Sequence, residues 1–146
     1  MKNWISIAIL VSAVAGIGLA DHHEGPEYKK VASAHDIMEM VVKPAMGKIG
    51  AMKKAGGPAT EKEWKTANAA ASVIAEANQL MLMGGRVKDD AWKNGANEVI
   101  AAAAKTMQGA YRKDMQSYSA GVEAMSAGCK TCHTVHKKDK NAKPKN

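Results

Sequence analysis

The chain has 146 residues, 46% of them hydrophobic and 24% charged, with a formal charge of +7, two Cys and no Phe. That length suits one domain with a real core, the apolar content excludes intrinsic disorder, and two Cys are too few for a disulfide-stapled scaffold or a four-Cys zinc site. With only 4% aromatic residues, a core has to be built from Ala, Val, Ile, Leu and the ten Met, which favours helices over sheets.

In chain order, the first twenty residues read as an export signal. Lys2 gives a basic start, Trp4 to Leu19 is an uncharged and mainly apolar run, and Gly18-Leu19-Ala20 offers small residues for cleavage. The alternative, an uncleaved anchor, is disfavoured because the run is short for a span. Residues 21–137 are then the folded domain and residues 138–146 a basic tail expected to be disordered. The exported protein has no membrane span and lies in the periplasm. Lys137, Lys138, Lys140, Lys143 and Lys145 stand against Asp139, so residues 137–146 carry +4 of the +7. Without interleaved aromatics such a tail is not a nucleic-acid site; it serves solubility or steers acidic proteins.

Helical periodicity appears four times and strand alternation does not. The first stretch runs from about Tyr28 to Lys54 with the seam Val31, His35, Met38, Val42, Ala45, Ile49, Met52. Pro44 lies inside it and predicts a kink or local break. Gly56-Gly57-Pro58 closes the segment. Thr60 and Glu63 form a capping box for a second helix ending near Met83, with the seam Trp64, Ala67, Ala71, Ile74. Gly84-Gly85 stops it. Asp89 or Asp90 caps a third helix with the seam Trp92, Ala96, Val99, Ala103, Met107, Ala110. A turn is placed at Arg112-Lys113-Asp114, because continuous helix would give a rod of more than forty residues. The fourth helix carries Tyr118, Val122, Met125, Cys129, Cys132, His136 on its seam. Four amphipathic helices with short connections predict an all-α, antiparallel up-down four-helix bundle.

Cys129-Lys130-Thr131-Cys132-His133 is the strong motif. On a helix these side chains fall within about 100° of arc. Two thiols at that spacing can form thioethers to one haem, and the adjacent His can reach the iron from the same side. A thioredoxin-like redox pair would sit at a helix start after a strand, and a zinc site would need two further ligands. The motif predicts one covalent haem c, held through Cys129 and Cys132, with His133 as the proximal iron ligand.

A Cys-Lys-Thr-Cys-His motif near the end of a secreted four-helix chain resembles the class II cytochromes c, which comprise cytochrome c prime and its low-spin, methionine-ligated relatives. The resemblance covers Glu27 to Lys137. It is supported by His35-Asp36-Ile37-Met38, Val41-Val42-Lys43-Pro44-Ala45, Glu76 to Met83, Gly85-Arg86 and Trp92. In that family the His is followed three and four residues later by an aromatic and a basic residue. Here these positions are His136 and Lys137, so only the basic one matches.

The resemblance implies one of two functions, according to the sixth iron position. An apolar distal site implies a five-coordinate haem binding small gases such as NO or CO; a Met ligand implies a low-spin electron carrier. In an up-down bundle the start of the first helix lies beside His133. Counted from Tyr28, His35 is then ~10 Å and Met38 ~13–15 Å along that helix, whereas Met46 and Met52 are at least ~25 Å along, too far. Met40 faces about 200° away from Met38. The family's methionine-ligated branch takes its ligand from the stretch matching Met38. The expectation is a periplasmic electron carrier with His133/Met38 ligation, not an enzyme, with redox proteins as partners and a homodimer as a family habit. His35 and an open site are the alternatives.

Smaller signals remain. Asp21-His22-His23, if freed by cleavage, offers nitrogen donors for Cu(II) or Ni(II), against a functionless end. Met81-Leu82-Met83 suggests Cu(I) less simply than core packing does. Arg86 and Arg112, the two arginines, could each pair with a haem propionate or lie solvated.

Overall fold

The structure is a computed structural model that describes residues 28–137. The expected signal segment (residues 1–20), Asp21-His22-His23 and the tail 138–146 lie outside the described residues. Within them every regular element is helical: α1 (Ala34–Ile37), a π-helical segment (Met38–Val42), α2 (Lys43–Lys54), α3 (Glu61–Met81), α4 (Asp90–Arg112) and α5 (Met115–His136). The first three follow one another without a break, giving four helical rods in a bundle. No helix among the described residues is long and apolar enough to cross a membrane.

The first rod starts six residues later than the periodicity predicts. Ser33 forms a capping box with Asp36, each side chain binding the other's backbone N–H. The chain before it is not helical, and Val31 is 95% exposed rather than part of the seam. Pro44 has no N–H and its ring crowds the carbonyl four residues back. The rod answers with i→i−5 bonding through Met38–Val42, closed by the Lys43 N–H on the Met38 carbonyl, rather than with a break. Such a wide turn has the effect of one extra residue.

Thr60 caps α3 through its capping box with Glu63, as its sequence predicts. Met81 is its last helical residue, two before the predicted end; Gly84 and Gly85 then turn the chain with φ of 60° and 68°. Asp89 caps α4 by accepting the Trp92 N–H. Lys113 stops α4 in the left-handed conformation, and the Asp114 N–H returns to the Gly109 carbonyl at 2.8 Å. Asp114 then caps α5. Stop and start occupy two adjacent residues, which is how so short a turn works without glycine.

The core has two parts. One joins Ile49, Met52, Trp64, Ile74, Val99, Tyr118, Val122 and Met125 and fills one end of the bundle. The other joins Ile37, Val42, Ala77, Met81, Trp92 and Ala96, with Met38, Met46 and Cys132 packed against it. Helices α4 and α5 pack closest, backbone on backbone, because glycines line their contact. A Cβ on Gly121 would come within 2.7 Å of the Thr106 backbone nitrogen, and one on Gly109 within 2.7 Å of the Tyr118 Cα. Toward the Cys pair the same contact continues, with Gly128 against Val99 and Gly95 against Cys132.

Candidate functional site

Beside the second core cluster the rods stand apart around a cavity of about 1280 Å³. That exceeds the roughly 300–1,000 Å³ typical of small-molecule pockets. One wall comes from the first rod and α3, with Met38, Val42, Met46, Asn78 and Met81. The rest of the lining comes from α4 and α5, with Trp92, Ala96, Val99, Cys129, Cys132, His133 and His136. The three residues of the Cys-x-x-Cys-His motif and Met38 therefore border one space, with His35 at its edge.

The motif is seated by small residues. Gly95 lets the turn bearing Cys132 settle onto α4; a Cβ there would lie 2.8 Å from the Cys132 Cβ and 2.9 Å from its backbone nitrogen. Both cysteines are half-buried free thiols. Burial pushes the Cys129 thiol up, with Cys132 adding to it. Burial also raises the Cys132 thiol, opposed by Lys88 and helped by Asp89. For His133, burial and then the Lys137 charge favour the neutral ring, which leaves a nitrogen lone pair to offer a metal.

Around the motif the contacts are specific. The Trp92 indole N–H donates to the Met81 carbonyl at 2.9 Å, tying α4 to the end of α3. Lys88 lies 4.8 Å over the Trp92 ring, and His136 meets that ring edge-on at 5.4 Å. The His136 ring thus packs against Trp92 as an aromatic side chain would. Thr131 donates its hydroxyl hydrogen to Glu98 at 2.7 Å and fixes the outer side of the motif.

On the first rod Met38 is half-buried and opens the π-helical segment. The His35 side chain is 81% exposed and lies 3.9 Å from Asp36, so it belongs to the rim. Met40 is 77% exposed and faces away, as its angle on the helix predicts. Met52 is part of the closed core. Met46 departs from the prediction, because it borders the cavity. The rod begins at Ala34, so Met46 lies only ~18 Å along it.

Neither arginine matches the propionate reading. Arg86 is 4% exposed, does not line the cavity, and donates to the Tyr28 hydroxyl at 3.0 Å, the Leu80 carbonyl at 3.2 Å and the Ala32 carbonyl at 2.8 Å. It pins the segment before α1 to the loop after α3. Arg112 ends α4 at the other end of the bundle, exposed.

The sequence does not single out Asn78, and it gives Met81 as core packing, which the structure bears out while also placing it at the cavity. Both continue the α3 seam in steps of four and three from Ile74, so the signal was present. Among the described residues no group of three or more His, Cys, Asp or Glu side chains is arranged to hold a bare metal ion. Comparison with protein-family models, with curated proteins and with solved structures finds no match for this chain.

Proposed function

We propose that the chain is an exported monohaem c-type cytochrome of the class II kind, an antiparallel up-down bundle that carries electrons in the periplasm. The observation that carries this reading is the shared cavity, whose lining includes Cys129, Cys132 and His133 from α5 and Met38 from the first rod. The size, the mainly apolar lining and the paired thiols fit a large planar group with its own equatorial donors. The contacts of Gly95 with Cys132, Gly128 with Val99 and Gly109 with Tyr118 advance along α4 as they retreat along α5, which supports the antiparallel order.

Cys129 and Cys132 would hold the haem by thioethers, His133 would take the proximal iron position and Met38 the distal one. The haem supplies a one-electron iron couple, and Met/His ligation raises its potential. The chain's part is to keep the His133 ring neutral, to exclude water with Trp92, Val99 and Met81, and to hold the Met38 thioether opposite. No substrate-activating base is involved. Acidic redox proteins suit the basic tail, and a homodimer is the family habit.

The cavity volume also favours a second reading, a five-coordinate haem with room for NO or CO beside Met38. The test is to mature the full chain in a host that attaches c-type haem, then record its mass and its oxidised and reduced spectra. One haem added per chain, a far-red sulphur-to-iron band, and loss of that band in Met38→Ala are expected. A chain that gains no haem sinks the whole reading. An unchanged Met38→Ala spectrum, with CO binding freely to the reduced form, moves the assignment to the open-site protein.

A further inference from the structure

Asn78 is the one buried polar residue among those described that borders the cavity; the other two, Arg86 and Thr106, do not. It is 4% exposed and occupies a seam otherwise made of Trp64, Ala67, Ala71, Ile74 and Met81. A buried carboxamide is costly in such a place unless its hydrogen-bonding groups find partners. The structure gives it one bond, its Nδ2 donating to the Ile74 carbonyl at 2.8 Å. That bond orients the side chain while leaving a second N–H and the carbonyl oxygen for the cavity. Its neighbours on α3, Ala77 and Met81, belong to the core cluster that contains Ile37 and Val42 and has Met38 packed on it. Asn78 and Met38 therefore both line the cavity that the Cys-x-x-Cys-His motif borders, beside the same core cluster.

We infer that Asn78 is the positioning residue of the distal wall: its free N–H bonds the Met38 sulphur and holds the thioether against exchange for an outside ligand. The inference rests on the His133/Met38 reading. A thioether is a weak acceptor, so the effect is that of one modest hydrogen bond, about three- to tenfold in the exchange equilibrium.

The test is an imidazole titration of the ferric, haem-loaded full chain, followed by the loss of the far-red sulphur-to-iron band. Asn78→Leu removes the amide and keeps the bulk; Asn78→Ala removes both; Met81→Ala opens space in the same cavity and keeps the amide. Both Asn78 variants are expected to bind imidazole about three- to tenfold more tightly than the parent, with Met81→Ala well below them. Should Asn78→Leu not fold, the comparison of Asn78→Ala with Met81→Ala decides. Asn78 variants that bind imidazole like the parent overturn the inference, and so does a Met81→Ala effect as large as that of Asn78→Ala. In both cases the parent spectrum still reports Met ligation and the functional reading stands. A parent without the far-red band fails that reading, and the inference with it.

Discussion

The His136 imidazole and the Asp89 carboxylate meet at 2.9 Å, joining the last turn of α5 to the cap of α4. The same carboxylate oxygen accepts the Trp92 N–H, so cap, ring and cavity floor are one unit. The Trp92 N–H first, and His136 second, hold the Asp89 carboxyl below its ordinary 3.8. Asp36, Glu61, Glu63 and Asp114 are lowered as well, by their own caps and by Lys113. A lowered carboxyl adds stability above its unfolded value and loses it as pH falls through the folded one. His133, whose site favours the neutral ring, costs some stability as pH falls through its unfolded value of 6.5, and the melting temperature should drop further below about pH 4, as carboxylates protonate. Asp89→Asn, which keeps a capping side chain, should flatten part of that drop. Melting curves from pH 7 to 2 check both; a variant as acid-sensitive as the parent would refute the role of Asp89.

The glycine contacts give a second prediction. An alanine at Gly121 places its Cβ 2.7 Å from the Thr106 backbone nitrogen, where no side-chain rotation relieves it. The helices must part, at a cost of about 1–3 kcal/mol seen in urea unfolding. Gly95→Ala carries the same strain into the Cys132 backbone, 2.9 Å away. It should also lower the fraction of chains that gain haem by mass spectrometry, while Gly121→Ala, remote from the motif, should lower it less.

Arg86 should matter through folding rather than through haem contact. Truncating Arg86→Ala leaves the Ala32, Leu80 and Met83 carbonyls without this donor. A loss of about 2–3 kcal/mol is expected, with faster proteolysis within residues 28–33. An unfolding midpoint equal to the parent's would show that the clamp contributes nothing.

Met40 supplies the counterpart to Met38. Its side chain is 77% exposed and outside the cavity, so Met40→Ala should leave the haem spectrum and the potential unchanged. A spectral change in Met40→Ala comparable to that in Met38→Ala would mean that the wide turn does not set which methionine faces inward.

Most of the bundle could be read from local rules. Thr60 with Glu63, the glycines after α3, and Asp89 each announce a boundary by side-chain chemistry within four residues, and the structure places those boundaries there. The start of the first rod was misread because apolar spacing reached back to Val31, while the Ser33–Asp36 capping box sets the start. The wide turn before Pro44 could be anticipated as a distortion but not in kind, because a kink and an extra residue answer the same missing N–H. At the site, the motif on α5 was legible from spacing alone. Arg86 was not, since its partners lie more than fifty residues away in Tyr28 and Ala32, and no local pattern reports such a contact.

The close seam between α4 and α5 also decides which part of the molecule can move. Helices that touch backbone to backbone along Gly95, Gly109, Gly121 and Gly128 have no side-chain layer to slide on, so they behave as a single plate. Among the described residues no glycine contact of this kind joins the first rod to α5; a Cβ on Gly47 or Gly50 would touch nothing, and the rod packs through Ile37 and Val42 with Ala77 and Met81 of α3. A displacement of the first rod would therefore leave the seat of the Cys-x-x-Cys-His turn on α4 intact, whereas a displacement of α4 against α5 would not.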